Sequence, residues 1–408
     1  NIGLITKRSQ ITLDQNRVLD VTLSLQTQEL DEVVVTKNIE HLRMRSPEMS
    51  TNRLSANTIK QTPVVFGESD VLKTIQLLPG VSSAGEGASG FNVRGGGADQ
   101  NLILLDEATI FNSSHLFGFF SVFNSDAIKD IQLHKGGIPA AYGGRVSSVL
   151  RIDQKEGAKD RLRFNGGIGA VSSRGLLEGP IGKGSFLLAG RGTYAHLFLK
   201  AFDQPNLAYF YDLNTKITLP LNDKNRLLLS GYFGRDVVAF DNTFTNTYGN
   251  TVVNLRWNRI FSPKVFGNLS LIYSDYYYGL ALDFVGFDWD SGIQNFNVKY
   301  DLSYNISEKI ILETGVQATY YSFNPGYIQP LTPTSGFNTE QLQNKFAAES
   351  SVYLSAKHDI SPKLALHYGL RINQFNRLAQ SGLLEYANNQ PLTYNPILGI
   401  YKEGTAVG

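Results

Sequence analysis

The sequence predicts an all-β protein with a small α+β domain, its larger part being a partial transmembrane antiparallel β-barrel. Three observations predict this. The first is strict alternation. Phe296, Val298, Tyr300, Leu302 and Tyr304 alternate with Asn297, Lys299, Asp301, Ser303 and Asn305. Leu364, Leu366, Tyr368, Leu370 and Ile372 alternate in the same way with Ala365, His367, Gly369, Arg371 and Asn373. A soluble sandwich has no need of such long strands with one apolar and one charged face, whereas a membrane barrel with a polar lumen does. The second is asymmetry of the connections. Tight turns are expected at 180–184, 222–225, 262–264, 307–309 and 361–363, and long polar or aromatic segments at 236–250, 279–292 and 324–344. Membrane barrels have short turns on one side and long loops on the other. The third is composition: Tyr 20, Phe 24 and Gly 39 with only Met 2 suit a large β protein with aromatic girdles.

Taken from the N-terminus, residues 2–6 and 18–25 read as two strands around a polar turn at Asp14-Gln15-Asn16. Acidic residues then lead into Val33, Val34 and Val35, which makes 29–36 a segment suited to adding as an edge strand to another sheet. Residues 37–62 are polar and linker-like. Val71, Leu72, Ile75 and Leu78 have the spacing of one helical face, ended by Pro79-Gly80. Gly85-Glu86-Gly87-Ala88-Ser89-Gly90 matches the dinucleotide fingerprint formally, but a helix precedes it and a strand follows, the reverse of what that site needs. Gly95-Gly96-Gly97 lacks the Gly-Lys-Ser/Thr of a phosphate loop and reads as a turn. Between 91 and 152, short apolar runs (102–105, 131–133, 146–150) alternate with glycine clusters, which predicts a compact mixed sheet. A short helix is expected at 125–129, capped by Ser125 with Asp126 in its first turn. Residues 153–163 carry both signs of charge and read as a solvated hinge.

Four motifs in this stretch carry a family likeness. Val93-Arg94-Gly95, Leu104-Leu105-Asp106, the run Ile131-Gln132-Leu133-His134-Lys135-Gly136-Gly137 and Tyr142-Gly143-Gly144 resemble, in order and spacing, the plug domain of TonB-dependent outer-membrane receptors. Glu107 departs from the family's usual glycine, and Lys135-Gly136-Gly137 replaces its Arg-Gly-Pro. Tyr211-Asp212-Leu213-Asn214-Thr215-Lys216 and Gly231-Tyr232-Phe233-Gly234-Arg235-Asp236 also resemble these receptors' barrels, so the likeness covers nearly the whole chain.

The resemblance implies a layout. Residues 1–28 would end a carboxypeptidase regulatory-like sandwich of the Bacteroidetes kind, 29–54 the TonB-box segment and linker, 55–156 the plug, and 157–408 the first part of the barrel. Such receptors close with about twenty-two strands, and about eleven are counted before Gln374, so both ends of the chain are expected to be truncated. Asp31, Glu32, Val33, Val34, Val35 and Thr36 would form the TonB box, gripped by the energising complex in the periplasm. Arg94 would lock the plug to barrel glutamates, with Glu178 and Glu313 as partners. Phe111, Asn112, His115, Phe117 and Phe119 would face outward and meet a ligand. The chain would sit in the bacterial outer membrane, in contact with its lipid and with a surface lipoprotein as a further partner. The fuller motif set of the glycan-importing SusC branch is not matched.

No catalytic constellation accompanies this. The six histidines are scattered with no ligand spacing, and zero cysteines exclude a thiolate metal site. Asp106 and Glu107, if in one strand, point to opposite faces and make a poor acid–base pair. Lys+Arg 37 against Asp+Glu 36 gives a net +1 and no nucleic-acid signature. Neither enzyme activity, metal nor cofactor is expected. Two functions remain: energised import of a nutrient, or an outer-membrane scaffold or sensor that binds without transport. The accessibility of 31–36 from the periplasm discriminates them.

Overall fold

The computed structural model describes residues 50–62, 68–85, 90–194, 196, 206–241, 243–378, 387, 390, 392–395 and 400–403. The chain divides into two units, Asn1–Ser46 and Pro47–Gly408. The strands expected at 2–6 and 18–25 and the segment 31–36 lie outside the described residues.

The second unit begins with a small domain. Strands β1 (Thr51–Ser55), β2 (Val81–Ser83), β3 (Phe91–Val93), β4 (Asn101–Leu105), β5 (Ala108–Thr109), β6 (Ser114–His115), β7 (Phe120–Ser121), β8 (Ile128–His134) and β9 (Ser148–Gln154) are joined by short helices and turns. The central sheet has the order β1-β8-β9-β4-β5. Only β4 and β9 run parallel, so the sheet is mixed. Thr51–Ser55, in the stretch read as linker, is thus an edge strand of this sheet. The helix expected at 70–78 spans Val71–Gln76 and is capped by Asp70, whose Oδ1 accepts the Lys73 N–H at 2.9 Å. Leu77 is its C-cap, and the turn that follows closes at Gly80, whose φ of +76° suits a residue without Cβ.

The helix expected at 125–129 does not form. Asn124 Oδ1 accepts the Asp126 N–H at 3.0 Å and the Asn124 carbonyl accepts the Ala127 N–H at 3.0 Å, which closes a single turn. Ile128, β-branched and buried, then starts β8. The hinge also differs from a solvated strap. Glu156 pairs with Arg226 and Lys155 Nζ donates to the Asp126 carbonyl, whereas 159–163 are exposed.

The rest is one antiparallel sheet of twelve strands. They are β10 (Arg163–Ile168), β11 (Ser172–Ile181), β12 (Gly184–Thr193), β13 (Leu207–Asn222), β14 (Asn225–Phe240), β15 (Phe244–Ser262), β16 (Val265–Leu282), β17 (Phe287–Ser307), β18 (Ile310–Pro330), β19 (Glu340–Gln341), β20 (Lys345–Ser361) and β21 (Leu364–Leu378). Each strand pairs with the next, except that β18 pairs with β20 and β19 pairs only with β18. A detached hairpin, β22 (Leu392–Asn395) and β23 (Ile400–Glu403), follows. The expected alternation is present. On β13, Phe210, Asp212, Asn214, Lys216 and Thr218 are buried, while Tyr211 and Leu213 between them are exposed. The apolar face is outward and the polar face is turned to the small domain.

The tight turns fall where expected, each with two residues between strand ends: 182–183, 223–224, 263–264, 308–309 and 362–363. At the other edge the expected loops are mostly strand. β14 and β15 extend until only 241–243 separate them, and 283–286 alone join β16 to β17. Only 331–344 stays long. Tyr and Thr are common there and suit strands, but Asn, Asp and Gly among them are turn-like and with both faces polar the period-two signal disappears. The 21 residues of β17 and of β18 span about 70 Å, far more than the 9–11 residues a bilayer requires. Both strands therefore project well past any membrane on the side away from the turns.

Candidate functional site

The core of the small domain runs on into the wall. Its buried cluster of Ile75, Phe91, Ile103, Ile131, Leu150 and others includes Tyr232, Val252 and Ile272 from β14, β15 and β16. Around that apolar contact lie charged clasps.

The deepest is built on Arg191 of β12. Its Nη1 lies 3.1 Å from Glu68 Oε2, its Nη2 lies 2.5 Å from Asp212 Oδ2, and Nη2 also donates to the Ser121 carbonyl at 2.7 Å. Ser172 donates its hydroxyl to Glu68. Asp212 Oδ2 also meets His115 Nε2 at 3.2 Å, and His115 Nδ1 lies 2.6 Å from Asp236 Oδ2. The imidazole stacks on Phe210 at 4.2 Å and reaches the Tyr232 hydroxyl at 3.2 Å. His115 is 1% exposed, with both ring nitrogens occupied, so it faces the wall and not a ligand. Burial pulls its pKa down, but the two aspartates prevail and raise it above the ordinary value.

A second clasp corrects the reading of Asp106 and Glu107. They do not continue a strand but form the two-residue turn between β4 and β5, with φ +46° and +73°. That is the type I′ geometry, in which glycine is the easier second residue. Glu107 earns its place with its carboxylate: it lies 3.1 Å from Arg256 and 3.7 Å from Lys299, and accepts the Ser270 hydroxyl at 2.9 Å. Asp106 pairs with Lys216 at 2.9 Å. Burial pushes the Glu107 carboxyl up, but Lys299, Arg256 and Arg151 outweigh it and hold the pKa at about 2. A depressed carboxyl contributes stability above its ordinary pKa of 4.5 and loses it as pH falls through about 2.

That shift corresponds to roughly 3 kcal/mol. Glu107→Gln is therefore expected to lower the denaturant midpoint for release of the small domain. Glu107→Gly is expected to lose less, because relieving the left-handed backbone returns about 1 kcal/mol. A glycine variant as stable as the native protein would show that the ion pairs contribute no more than the about 1 kcal/mol that the strained backbone costs.

Two lesser ties complete the contact. Asp126 bridges Lys60 at 3.1 Å and Arg174 at 2.7 Å. β15 turns Asn246, Asn250, Asn254 and Asn258 inward at every fourth position. Asn250 Oδ1 accepts the Phe111 and Asn112 N–H groups at 3.2 Å each, its Nδ2 donates to the Asn112 carbonyl at 2.7 Å, and Asn254 Nδ2 donates to the Asp106 carbonyl at 2.5 Å.

The expected lock residues are not brought together. Arg94, at φ +49°, donates to Ser50 Oγ at 2.7 Å on an exposed edge of the small domain, and no contact joins it to Glu178 or Glu313. Glu178 stands on β11, near enough to Lys155 to influence its charge. Glu313 pairs with Lys357 at 3.0 Å within the wall. Arg191, Asp212, Glu68 and Asp236 take the role instead. Sequence reading passed over them, although the signal was there: a charge on the inward parity of a strand, as Asp212 between Tyr211 and Leu213.

The tip between β6 and β7 is held in a strained form. Leu116 and Phe117 have φ +46° and +55°. Asp236 Oδ1 accepts the Leu116 N–H at 2.8 Å and the Tyr248 hydroxyl accepts that of Phe117 at 2.9 Å, so the wall fixes the tip. Beside it, at the end away from the tight turns, lies a cavity of about 470 Å³. Phe111, Asn112 and Phe117 line it together with Asn246, Tyr248, Tyr276 and Tyr278. Phe119 is 57% exposed and outside this lining. Among the described residues, no group of three His, Cys, Asp or Glu side chains is placed to hold a metal ion.

The comparisons with known proteins bear on the inner domain first. Residues 43–148 match the TonB-dependent Receptor Plug Domain family. Solved structures add the wall around the plug. The siderophore receptor PirA from Pseudomonas aeruginosa is similar with a TM-score of 0.58 and 18% identity, over 81% of this chain and 56% of that one. A mutant of the ferric enterobactin receptor PfeA from the same organism gives 0.62 and 14%, over 83% and 58%. The copper transporter OprC gives 0.61 and 11%, over 87% and 57%. At such identities these likenesses establish the fold, a plug against a partial barrel. The chain spans less than two thirds of the length of each of these structures. No curated protein matches the sequence.

Proposed function

We propose that the chain is the plug and part of the barrel of a TonB-dependent receptor, not an enzyme, that imports a nutrient across the bacterial outer membrane. The observation that carries this reading is the seat of the plug: a mixed-sheet domain held on the polar face of an outwardly apolar wall by buried ion pairs. A scaffold has no need of a domain fastened by contacts that a pull can undo one clasp at a time. In this reading the two-residue turns face the periplasm and the protruding strands face outside. The segment 31–36 recruits the energising protein by strand addition, where backbone hydrogen bonds supply most of the affinity.

The test follows from that. Val34→Pro removes a backbone donor and fixes φ. The variant is expected to fold and reach the outer membrane yet fail to co-isolate with the periplasmic domain of the energising protein. Retained co-isolation would remove 31–36 from the mechanism.

The cavity beside Phe117 is the ligand site in this reading. Its tyrosines, phenylalanines and amides, with Asp99 and Arg145 also on the lining, suit a ligand with ring faces and polar edges, each well-placed ring contact contributing about 0.5–1.5 kcal/mol. Because the similar structures include a siderophore receptor and a copper transporter, a chelated metal is among the cargoes to try first. A ligand that co-purifies with the receptor is expected to contact Asn112 or Phe117, and Tyr276→Ala is expected to lower its occupancy about tenfold. A ligand located by density at the turn side of the plug would overturn this placement.

A further inference from the structure

The outer face of the wall carries a feature that import does not use. On β20, Val352, Leu354, Ala356, His358 and Ile360 share the outward parity. In cross-strand register, Ala356 stands between Leu312 of β18 and Tyr368 of β21. A methyl between two large side chains leaves a notch. It opens as an apolar groove of about 500 Å³, walled by Leu312, Val352, Leu354, Tyr368, Leu370 and Ile372. Tyr368, Leu370 and Ile372 are each more than half exposed.

The groove points toward a basic edge. His358 lies two residues beyond Ala356 on the same face, opposite Ile310 and Leu366. Just past it are the turns of β17–β18 and β20–β21, which expose Lys309 and Lys363. The Lys309 carbonyl accepts the Asp359 N–H at 2.8 Å, which holds the first turn against β20. From Ala356 to the last residue of β20 is about 17 Å of strand, and lysine side chains fold back along such a surface to keep their ammonium groups at the headgroup level. Each of the five tight turns carries lysine at its second position: Lys183, Lys224, Lys264, Lys309 and Lys363. At Lys309 and Lys363 alone does the pair flank this groove.

We propose that this groove and its basic edge form a site for one anionic glycerophospholipid of the periplasmic leaflet. An acyl chain lies along Ala356 and Leu354, and the phosphate meets Lys309, Lys363 and His358. Apolar fit alone would accept any lipid; the cations make the site select for net negative charge. Glu308 stands next to Lys309 and Asp359 next to His358, so the edge is formally neutral with His358 uncharged, and selection rests on the reach of the two lysine ammonium groups to the phosphate. The proposal rests on the outer-membrane reading of the wall.

The test uses the full-length receptor, purified and challenged with phosphatidylglycerol or phosphatidylcholine, with bound lipid counted by native mass spectrometry. The native protein is expected to retain one phosphatidylglycerol in preference to phosphatidylcholine. Lys309→Gln/Lys363→Gln is expected to reduce that occupancy about tenfold. Ala356→Phe, which fills the notch, is expected to abolish it, and Lys183→Gln/Lys224→Gln to leave it unchanged. Equal retention of both lipids, or equal loss from both lysine pairs, would overturn the site while leaving the barrel reading intact. Failure of the native protein to insert into vesicles of either lipid would overturn the barrel reading, and the site with it.

Discussion

Arg191→Ala is expected to loosen the plug more than any other single substitution. Glu68 and Asp212 converge on this one guanidinium, and all three side chains are buried. Removing one partner of a buried ion pair leaves uncompensated charge and costs about 3–5 kcal/mol, a penalty distinct from the intact pair's advantage over an apolar replacement. The measurable consequence is plug release at lower denaturant, read by proteolysis of 50–154 while the barrel stays folded. Arg191→Lys should recover little, since an ammonium cannot span Glu68, Asp212 and the Ser121 carbonyl together. Adding Glu68→Gln and Asp212→Asn to Arg191→Ala should restore part of the loss, because the stranded charges are then gone. A release midpoint unmoved by Arg191→Ala would refute the clasp.

The second large effect is one of pH. His115 faces Asp212, Asp236 and Tyr232 from the wall, with Arg191 beyond Asp212. Its pKa is raised in the folded protein despite burial, because the aspartates favour the imidazolium. The stability it contributes is therefore complete below the ordinary histidine value of about 6.5 and is lost as pH rises through the raised one. Plug release is expected to become easier on the alkaline side of neutrality, and His115→Gln to flatten that dependence. At low pH the variant should be the weaker of the two by a margin that closes as pH rises. Parallel profiles for the two proteins would show that His115 stays in one protonation state throughout.

Much of the wall was readable in the sequence because its two faces differ in kind, apolar outward and mostly polar inward, so the alternation is local. Leu364 to Ile372 and Phe296 to Tyr304 follow it, and the turns fall at Asp223-Lys224 and Pro263-Lys264 as their residue types suggest. Past the membrane the rule lapses, and 236–250 looked like loop although β14 and β15 extend through most of it. The plug was readable from four short motifs, each fixed by its own backbone geometry. The clasp was not. Which wall residue meets Glu68 depends on contacts separated by 123 positions along the chain, and no local pattern encodes that distance. Arg94 was chosen by analogy with a family, and its own surroundings, Ser50 and the Lys135-Gly136 turn, keep it elsewhere. Asn112 and Phe117 belong to an aromatic, amide-rich tip that is conspicuous in the sequence, and they line a cavity; His115, three residues from Asn112, faces the wall instead.

The asparagines of β15 give the contact a mechanical character. A carboxamide offers a donor and an acceptor on the same short stem, so it can exchange one backbone partner for the next, or for water, at little net cost. Asn250 and Asn254 do this on the line between wall and plug, whereas Asn246, on the same face, donates to the Gly279 carbonyl within the wall. The two amides can thus give way to water singly, whereas the charged clasps leave buried charge behind when they part. Release of the plug is then expected to be governed by the charged clasps, of which the one on Arg191 is the deepest and those on Asp106 and Glu107 remain when it parts.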